Sequence, residues 1–138
     1  MATFNKFNSF VEAVAEKVHN LGADVLKIAL TNTAPSATNT QLSNITQIAA
    51  GNGYTTGGNT AVTVSSSQTS GTYKLVLSDV VFTATGVMGP FRYAVLYNDT
   101  ASSDELIGWW DYGTSLTLNS GDTFTVDFDA GNGVLTLA

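Results

Sequence analysis

The sequence contains no cysteine, which excludes a disulfide framework, a thiolate zinc site and a thiol nucleophile and leaves the redox compartment unread. Basic residues are scarce: five Lys and Arg stand against eleven Asp and Glu, a net charge of −6 at pH 7. That net charge has the wrong sign for neutralising phosphates, so direct nucleic-acid binding is not expected. Charge of either sign is thin, at 12% of residues against about 25% in an average domain. Such a surface suits lasting contact better than free diffusion. No apolar run approaches the ~20 residues that cross a bilayer, and the first residues lack the basic start and continuous apolar stretch of a secretory leader. The expectation is a protein made and assembled in the cytosol, with no membrane partner.

With 43% of its 138 residues hydrophobic, the chain can bury a core without staples, and one domain over 1–138 is expected. A single stretch has helical period. Phe7, Phe10, Val11, Val14, Val18 and Leu21 recur at spacings of three and four, which makes one apolar stripe. Ser9 and Glu12 have capping-box spacing, and Lys17, His19 and Gly22 suit a C-terminal end. A helix over 7–20 is therefore expected within an N-terminal segment 1–22. It is too short to stand alone and must dock on a sheet or a neighbouring subunit.

Beyond Gly22 the pattern is of strands separated by Gly, Asn, Ser and Thr. Strands are expected at 25–33, 61–66, 72–78, 80–85, 91–98, 106–112, 115–118, 123–129 and 134–137, with a short one at 45–49. Closely spaced strands with no intervening helix indicate a mainly β fold, an antiparallel β-sandwich or jelly roll. In 123–129, Phe124, Val126 and Phe128 share a dry face and Thr123, Thr125, Asp127 and Asp129 a wet one. In 91–98, Phe91, Tyr93, Val95 and Tyr97 share a face, yet Ala94 and Leu96 leave the reverse only partly polar. The stretch Leu106-Ile-Gly-Trp-Trp-Asp-Tyr-Gly113 places both tryptophans side by side. On a strand they point oppositely, so Trp109 would share a face with Ile107 and Asp111, and Trp110 one with Leu106, Gly108 and Tyr112. Both faces then need cover, from a second sheet, the helix, a bound sugar or another chain.

Chemistry is sparse. His19 has no G-x-S-x-G elbow or similar element beside it and reads as structural. Asp127-Phe-Asp-Ala-Gly-Asn-Gly133 resembles a calcium loop only faintly, lacking the third ligand and distal Glu of an EF-hand. Asp104, Glu105 and Asp111 near the tryptophans are the sharpest enzymatic reading, a glycosidase carboxylate pair, but Asp104-Glu105 follows the turn-type stretch 98–103, where acids are common for solubility. Trp110 and Tyr112, two residues apart, could stack on a sugar. Otherwise they pack beneath the helix or across an oligomer interface. Gly51-Asn-Gly53 and Gly57-Gly58 lack the strand–helix context of a phosphate cradle. Residues 35–60 instead read as an extended arm or loop, and an arm could lie on a neighbour's sheet edge. No enzyme activity, cofactor or metal is expected.

Taken together, Val18-His-Asn-Leu-Gly22, Leu30-Thr-Asn-Thr-Ala-Pro35, Gly51-Asn-Gly-Tyr-Thr-Thr-Gly-Gly58, Gly89-Pro-Phe-Arg-Tyr-Ala-Val-Leu-Tyr-Asn-Asp-Thr100, 106–113 and Gly121-Asp-Thr-Phe-Thr-Val-Asp-Phe-Asp129 resemble small virion structural proteins of tailed bacteriophages. The resemblance covers nearly the whole chain. It implies a non-enzymatic virion protein, of the capsid decoration or cement kind, that binds the outer shell as a homodimer or homotrimer beside the major capsid protein after assembly in the host cytoplasm. A tail or head-fibre component, or a carbohydrate-binding receptor module, are the alternatives. On this reading Phe91, Tyr97, Trp110 and Tyr112 are expected at subunit contacts. Phe4, Phe7, Pro35, Asn52 and Tyr54, from the N-terminal segment and the arm, are expected to meet the shell.

Overall fold

A computed structural model describes residues 2–138. The fold is mainly β with antiparallel sheets. In chain order the elements are β1 (Asn5–Lys6), helix α1 (Phe10–Ala15), β2 (Leu26–Thr31), β3 (Asn59–Ala61), β4 (Thr63–Thr69), β5 (Thr72–Leu77), β6 (Val80–Thr83), β7 (Met88–Asn98), β8 (Leu106–Leu118), β9 (Thr123–Val126) and β10 (Leu135–Leu137). Five strands pair in the order β1-β8-β7-β2-β3, three as β10-β5-β4, and β6 pairs with β9.

The main core gathers side chains from all three sheets, among them Ile28, Leu30, Leu75, Phe82, Leu96, Val126 and Leu135. A second cluster of Phe7, Ala29, Ile45, Val95, Tyr97 and Leu106 lies on the reverse face of the five-stranded sheet, with Leu42 and Trp109 against it. Strand β2 is thus covered on both faces, which is why its sequence is almost continuously apolar. Strands β4 and β5 meet in a two-residue turn, Ser70-Gly71, both at positive φ, the geometry that suits the twist of a tight hairpin.

The helix is shorter than its apolar period predicts. It ends at Ala15 because Lys17 adopts φ 67, after which Val18 N–H donates to Ala13 O at 2.8 Å and Lys17 N–H to Val14 O at 3.3 Å. That pair of bonds is the Schellman closure, here built on a lysine. Gly22 does not cap it. Ser9 makes no side-chain cap, and Val11 is 51% exposed, so neither the capping box nor the full stripe forms.

Of the arm or loop expected over 35–60, the structure has the loop. These residues fold back on their own domain through Asn8 N–H to Ala37 O (2.9 Å), Leu42 N–H to Asp104 O (3.0 Å), Leu106 N–H to Thr40 O (3.0 Å) and Ile48 N–H to Leu30 O (3.1 Å). Side chains complete the attachment. Buried Tyr54 accepts from Leu30 N–H at 3.1 Å and donates to Gln47 Oε1 at 2.6 Å, which also accepts from Gly57 N–H at 2.7 Å. Burial pushes the Tyr54 phenol up to about 12, keeping it a neutral donor. The expected strand at 45–49 is reduced to one bridge, Gln47 to Thr31.

Two of the three irregularities in the β7–β8 ladder change which side chains share a face. Leu96 and Tyr97 are paired with Gly108 and Leu106, so Ile107 is an extra residue and the alternation shifts there. Ile107 therefore joins the main core with Trp110, and Leu106 the second cluster with Trp109, the reverse of simple alternation. A second shift between Phe91 and Tyr93 turns Phe91 into the main core, away from Val95 and Tyr97.

Candidate functional site: an aromatic cleft beside the paired tryptophans

Both indoles are half-buried, and their cover is the chain's own N-terminal segment. Asn5 pairs with Trp109 and Lys6 with Gly108. This brings the Phe7 ring to 4.5 Å from Trp109 and the Phe4 ring to 5.3 Å from Trp110. Gly108 makes the approach possible, since a Cβ there would meet the Phe4 ring and the Asn5 carbonyl. Phe128 packs on Trp110 from another side, centroids 5.5 Å apart. Part of the cover that the sequence reading sought from a second subunit thus comes from rings of the same chain.

The expected contact residues separate in the same way. Phe91 and Tyr97 are each 1% exposed and hence closed to a partner, Phe91 because of the ladder shift and Tyr97 because its hydroxyl donates to Gly57 O at 2.7 Å beneath the folded-back loop. Burial raises the Tyr97 phenol well above its ordinary value. Phe7 and Tyr54 are buried for the reasons given above and cannot meet a shell. Phe4 and Pro35 are half-buried, and Asn52 is exposed while donating to Val87 O at 2.8 Å. Trp110 and Tyr112 come together at one place.

That place is a cleft of about 470 Å³ between β7–β8 and the β9 segment, with Phe4, Trp110, Tyr112, Phe124 and Phe128 among its walls. Phe124 stands edge-on to both Phe91 (4.9 Å) and Tyr112 (5.6 Å). Its apolar lining follows from the alternation of β9 and the residues after it, where Val126 and Phe128 are buried and Thr125 and Asp127 exposed. Polar groups ring the opening. Arg92 donates through Nε to Asp111 Oδ1 at 2.7 Å and through Nη2 to Oδ2 at 2.9 Å, a bidentate fork, and lies 5.4 Å from the Tyr93 ring centre. The Arg92 hydrogen bonds, aided by Gly113 N–H, hold the Asp111 carboxyl below the usual carboxylate range. Both partners are well exposed, so the pair orients side chains more than it stabilises the fold. Asp129 accepts from Gly131 N–H, Asn132 N–H and Asn132 Nδ2, and these bonds, the Asn132 ones foremost, keep it ionised and close a turn. Asp127 has no hydrogen-bond partner among the described residues.

Arg92, Phe124, Asp127 and Phe128 belong to this site although the sequence does not single them out as contact residues. The dry face of 123–129 is readable, but no local signal says that it leans on Trp110. Of the three carboxylates of the glycosidase reading, Asp111 is not brought to Asp104 and Glu105. Glu105 bridges to Gln41 before β8 begins, and Asp111 lies six residues further along the chain. At ~3.3 Å per residue that is about 20 Å, beyond the spacing at which two carboxyls share a glycosidic bond. Asp104 is raised by burial and then by Asp99 and Glu105, at this same remote end. Among the described residues no three His, Asp or Glu converge as a metal would require.

His19 is buried at the closing turn after α1, 5.5 Å from the Phe10 ring. Asn98 is oriented by Thr100 N–H and Ala101 N–H donating to its Oδ1, so its Nδ2 donates to His19 Nδ1 at 3.0 Å and to Asp24 Oδ2 at 2.6 Å. With Nδ1 accepting, neutral His19 carries its proton on Nε2, which has no partner among the described residues. Burial lowers the imidazole below its ordinary 6.5, against smaller opposing effects of Glu105 and Asp24. The folded state therefore binds fewer protons than the unfolded one, and stability present above pH 6.5 falls as pH drops through the lowered value. Melting temperature is expected to decline on acidification just below pH 6.5, well above the carboxylate range. H19Q should flatten that part of the profile, and an unchanged slope would contradict the assignment.

Comparison with models of known protein families, with curated proteins and with solved structures gives no match.

Proposed function

We propose that this chain is a non-enzymatic structural protein of a tailed-phage virion, of the capsid-decoration kind, which sits on the shell as a symmetric homo-oligomer in contact with the major capsid protein. In this reading the three sheets form an antiparallel sandwich around the main core, a rigid body suited to a pressurised shell. The resemblance of the sequence supplies the class. The observation that carries self-assembly is β4, which lies at the outer edge of its sheet with β5 as its one strand partner. Its seven residues, Thr-Val-Ser-Ser-Ser-Gln-Thr, contain no charge and no proline. Val62, just before the strand, and Val64 within it are 58% and 65% exposed. Proteins that must stay monomeric blunt such an edge with lysine, proline or a cover, and an unblunted one accepts a second copy by antiparallel pairing.

Light scattering of the purified chain should give a multimer, and S67K, which brings like charges together at the paired edges, should give a folded monomer whose melting temperature, unlike that of the wild type, does not depend on protein concentration. The wild-type chain should also bind expanded, undecorated capsids saturably. A wild-type monomer, or no capsid binding, would remove this reading.

A further inference from the structure

We propose that the cleft beside Trp110 is a saccharide-binding site, in which Trp110 and Tyr112 pack on the apolar face of a neutral sugar and Arg92 and Asp127 hydrogen-bond its hydroxyls. The inference does not rest on the virion reading, because it uses a different face and different residues. Its volume, about 470 Å³, falls in the range of ligand clefts, which are lined by aromatic groups with a few polar ones at the edge.

The choice of ligand follows from the polar groups. The guanidinium of Arg92 has five N–H donors, and the fork to Asp111 engages only its Nε and Nη2 groups, so Nη1 donors remain. Asp127, at the same opening, accepts nothing among the described residues and keeps its lone pairs. A free donor and a free acceptor of opposite charge stand around aromatic walls. An organic cation would meet Arg92, and an anion would meet Asp127. Hydroxyl groups, which both donate and accept, suit this set without a charge penalty. Sugars also present C–H faces that aromatic rings cover well. Asp111 fixes the guanidinium plane, so the donor is preorganised before the ligand arrives. Tyr112 is 54% exposed, and its edge-on contact with Phe124 holds the ring at the rim.

Trp109 and Trp110 are the only tryptophans, so their emission reports directly on this site. The full chain is titrated with maltohexaose, cellohexaose, xylohexaose, mannohexaose and chitohexaose, each up to about 20 mM, a range that captures millimolar affinity. At least one should change the emission saturably. Binding of that sugar should weaken by about tenfold or more in both Y112A and D127N, while S67K binds as wild type does. Tyr112 and Asp127 are exposed, so both variants should melt as the parent does, which thermal unfolding checks. The proposal is overturned by the absence of saturable change with all five sugars, by retained binding in either variant, or by saturation with tetramethylammonium chloride where the sugars give none. None of these outcomes bears on capsid binding, so the two readings fail separately.

Discussion

Replacing Gly58 by alanine is expected to destabilise the protein by at least about 4 kcal/mol, in the exceptional range for one methyl group. Gly58 has φ +74, and a Cβ built on it would fall inside the Ile28 carbonyl, with that carbonyl's carbon and the Ala29 Cα also too near. All three atoms are backbone of β2, the strand buried on both faces, so nothing nearby can swing aside. Either β2 moves, disturbing its ladders with β3 and β7, or the loop at 55–58 lifts, and then Tyr97 loses its acceptor at Gly57 and Gln47 its donor. Gly71 provides the control. It has φ +83, and a Cβ added there would meet nothing within 4 Å, so G71A should cost only the backbone strain of about 1–3 kcal/mol. Guanidinium unfolding of the two variants checks this, and equal losses would mean that the steric account of Gly58 is wrong.

The second large effect concerns the cover of the tryptophans. Phe7 is fully buried and stacks at 4.5 Å on Trp109 within the second cluster. F7A should lower stability by about 3–5 kcal/mol, as truncation of a buried phenylalanine does. It should also move Trp emission to longer wavelength under conditions where the chain remains folded, because water then reaches the Trp109 indole. Phe4 is only half-buried, so F4A should show the spectral change with the smaller loss of stability. If F7A left the emission unchanged, the cover of Trp109 would have to come from elsewhere.

Much of the sheet is legible in the sequence because burial on one or both faces leaves a periodic trace. The alternation of 123–129 places its dry face correctly, although the ladder itself stops at Val126, where Phe128 N–H turns to Asp79 Oδ1 instead. The segment 25–33 announces a strand by its run at 25–30, apolar but for Lys27. What escapes does so for definable reasons. Strand β1 has two residues, too few for any period. The helix end depends on Lys17 taking a conformation that glycine usually takes, while the nearby Gly22 offers the more conventional stop. Ile107 as an extra residue reverses the partition of 106 and 107, and no single-strand pattern contains its partner's register. The loop at 35–60 looks unattached since its anchors, Gln47 and Tyr54, act through hydrogen bonds to distant backbone. The cleft is half visible: Trp110 and Tyr112 stand out as a pair, but Arg92, Phe124, Asp127 and Phe128 reach them only through tertiary pairing.

The pairing of Asn5 with Trp109 joins residues 104 apart, and translation makes that separation a delay. At ~5–20 residues per second, Phe4 and Phe7 are synthesised on the order of 5–20 s before their indole partners. Until then the nascent chain carries a short aromatic leader with nowhere to dock, the kind of segment that holdase chaperones bind. The strap at residues 4–7 is thus made well before the strand that receives it, and its own pairing waits for that strand.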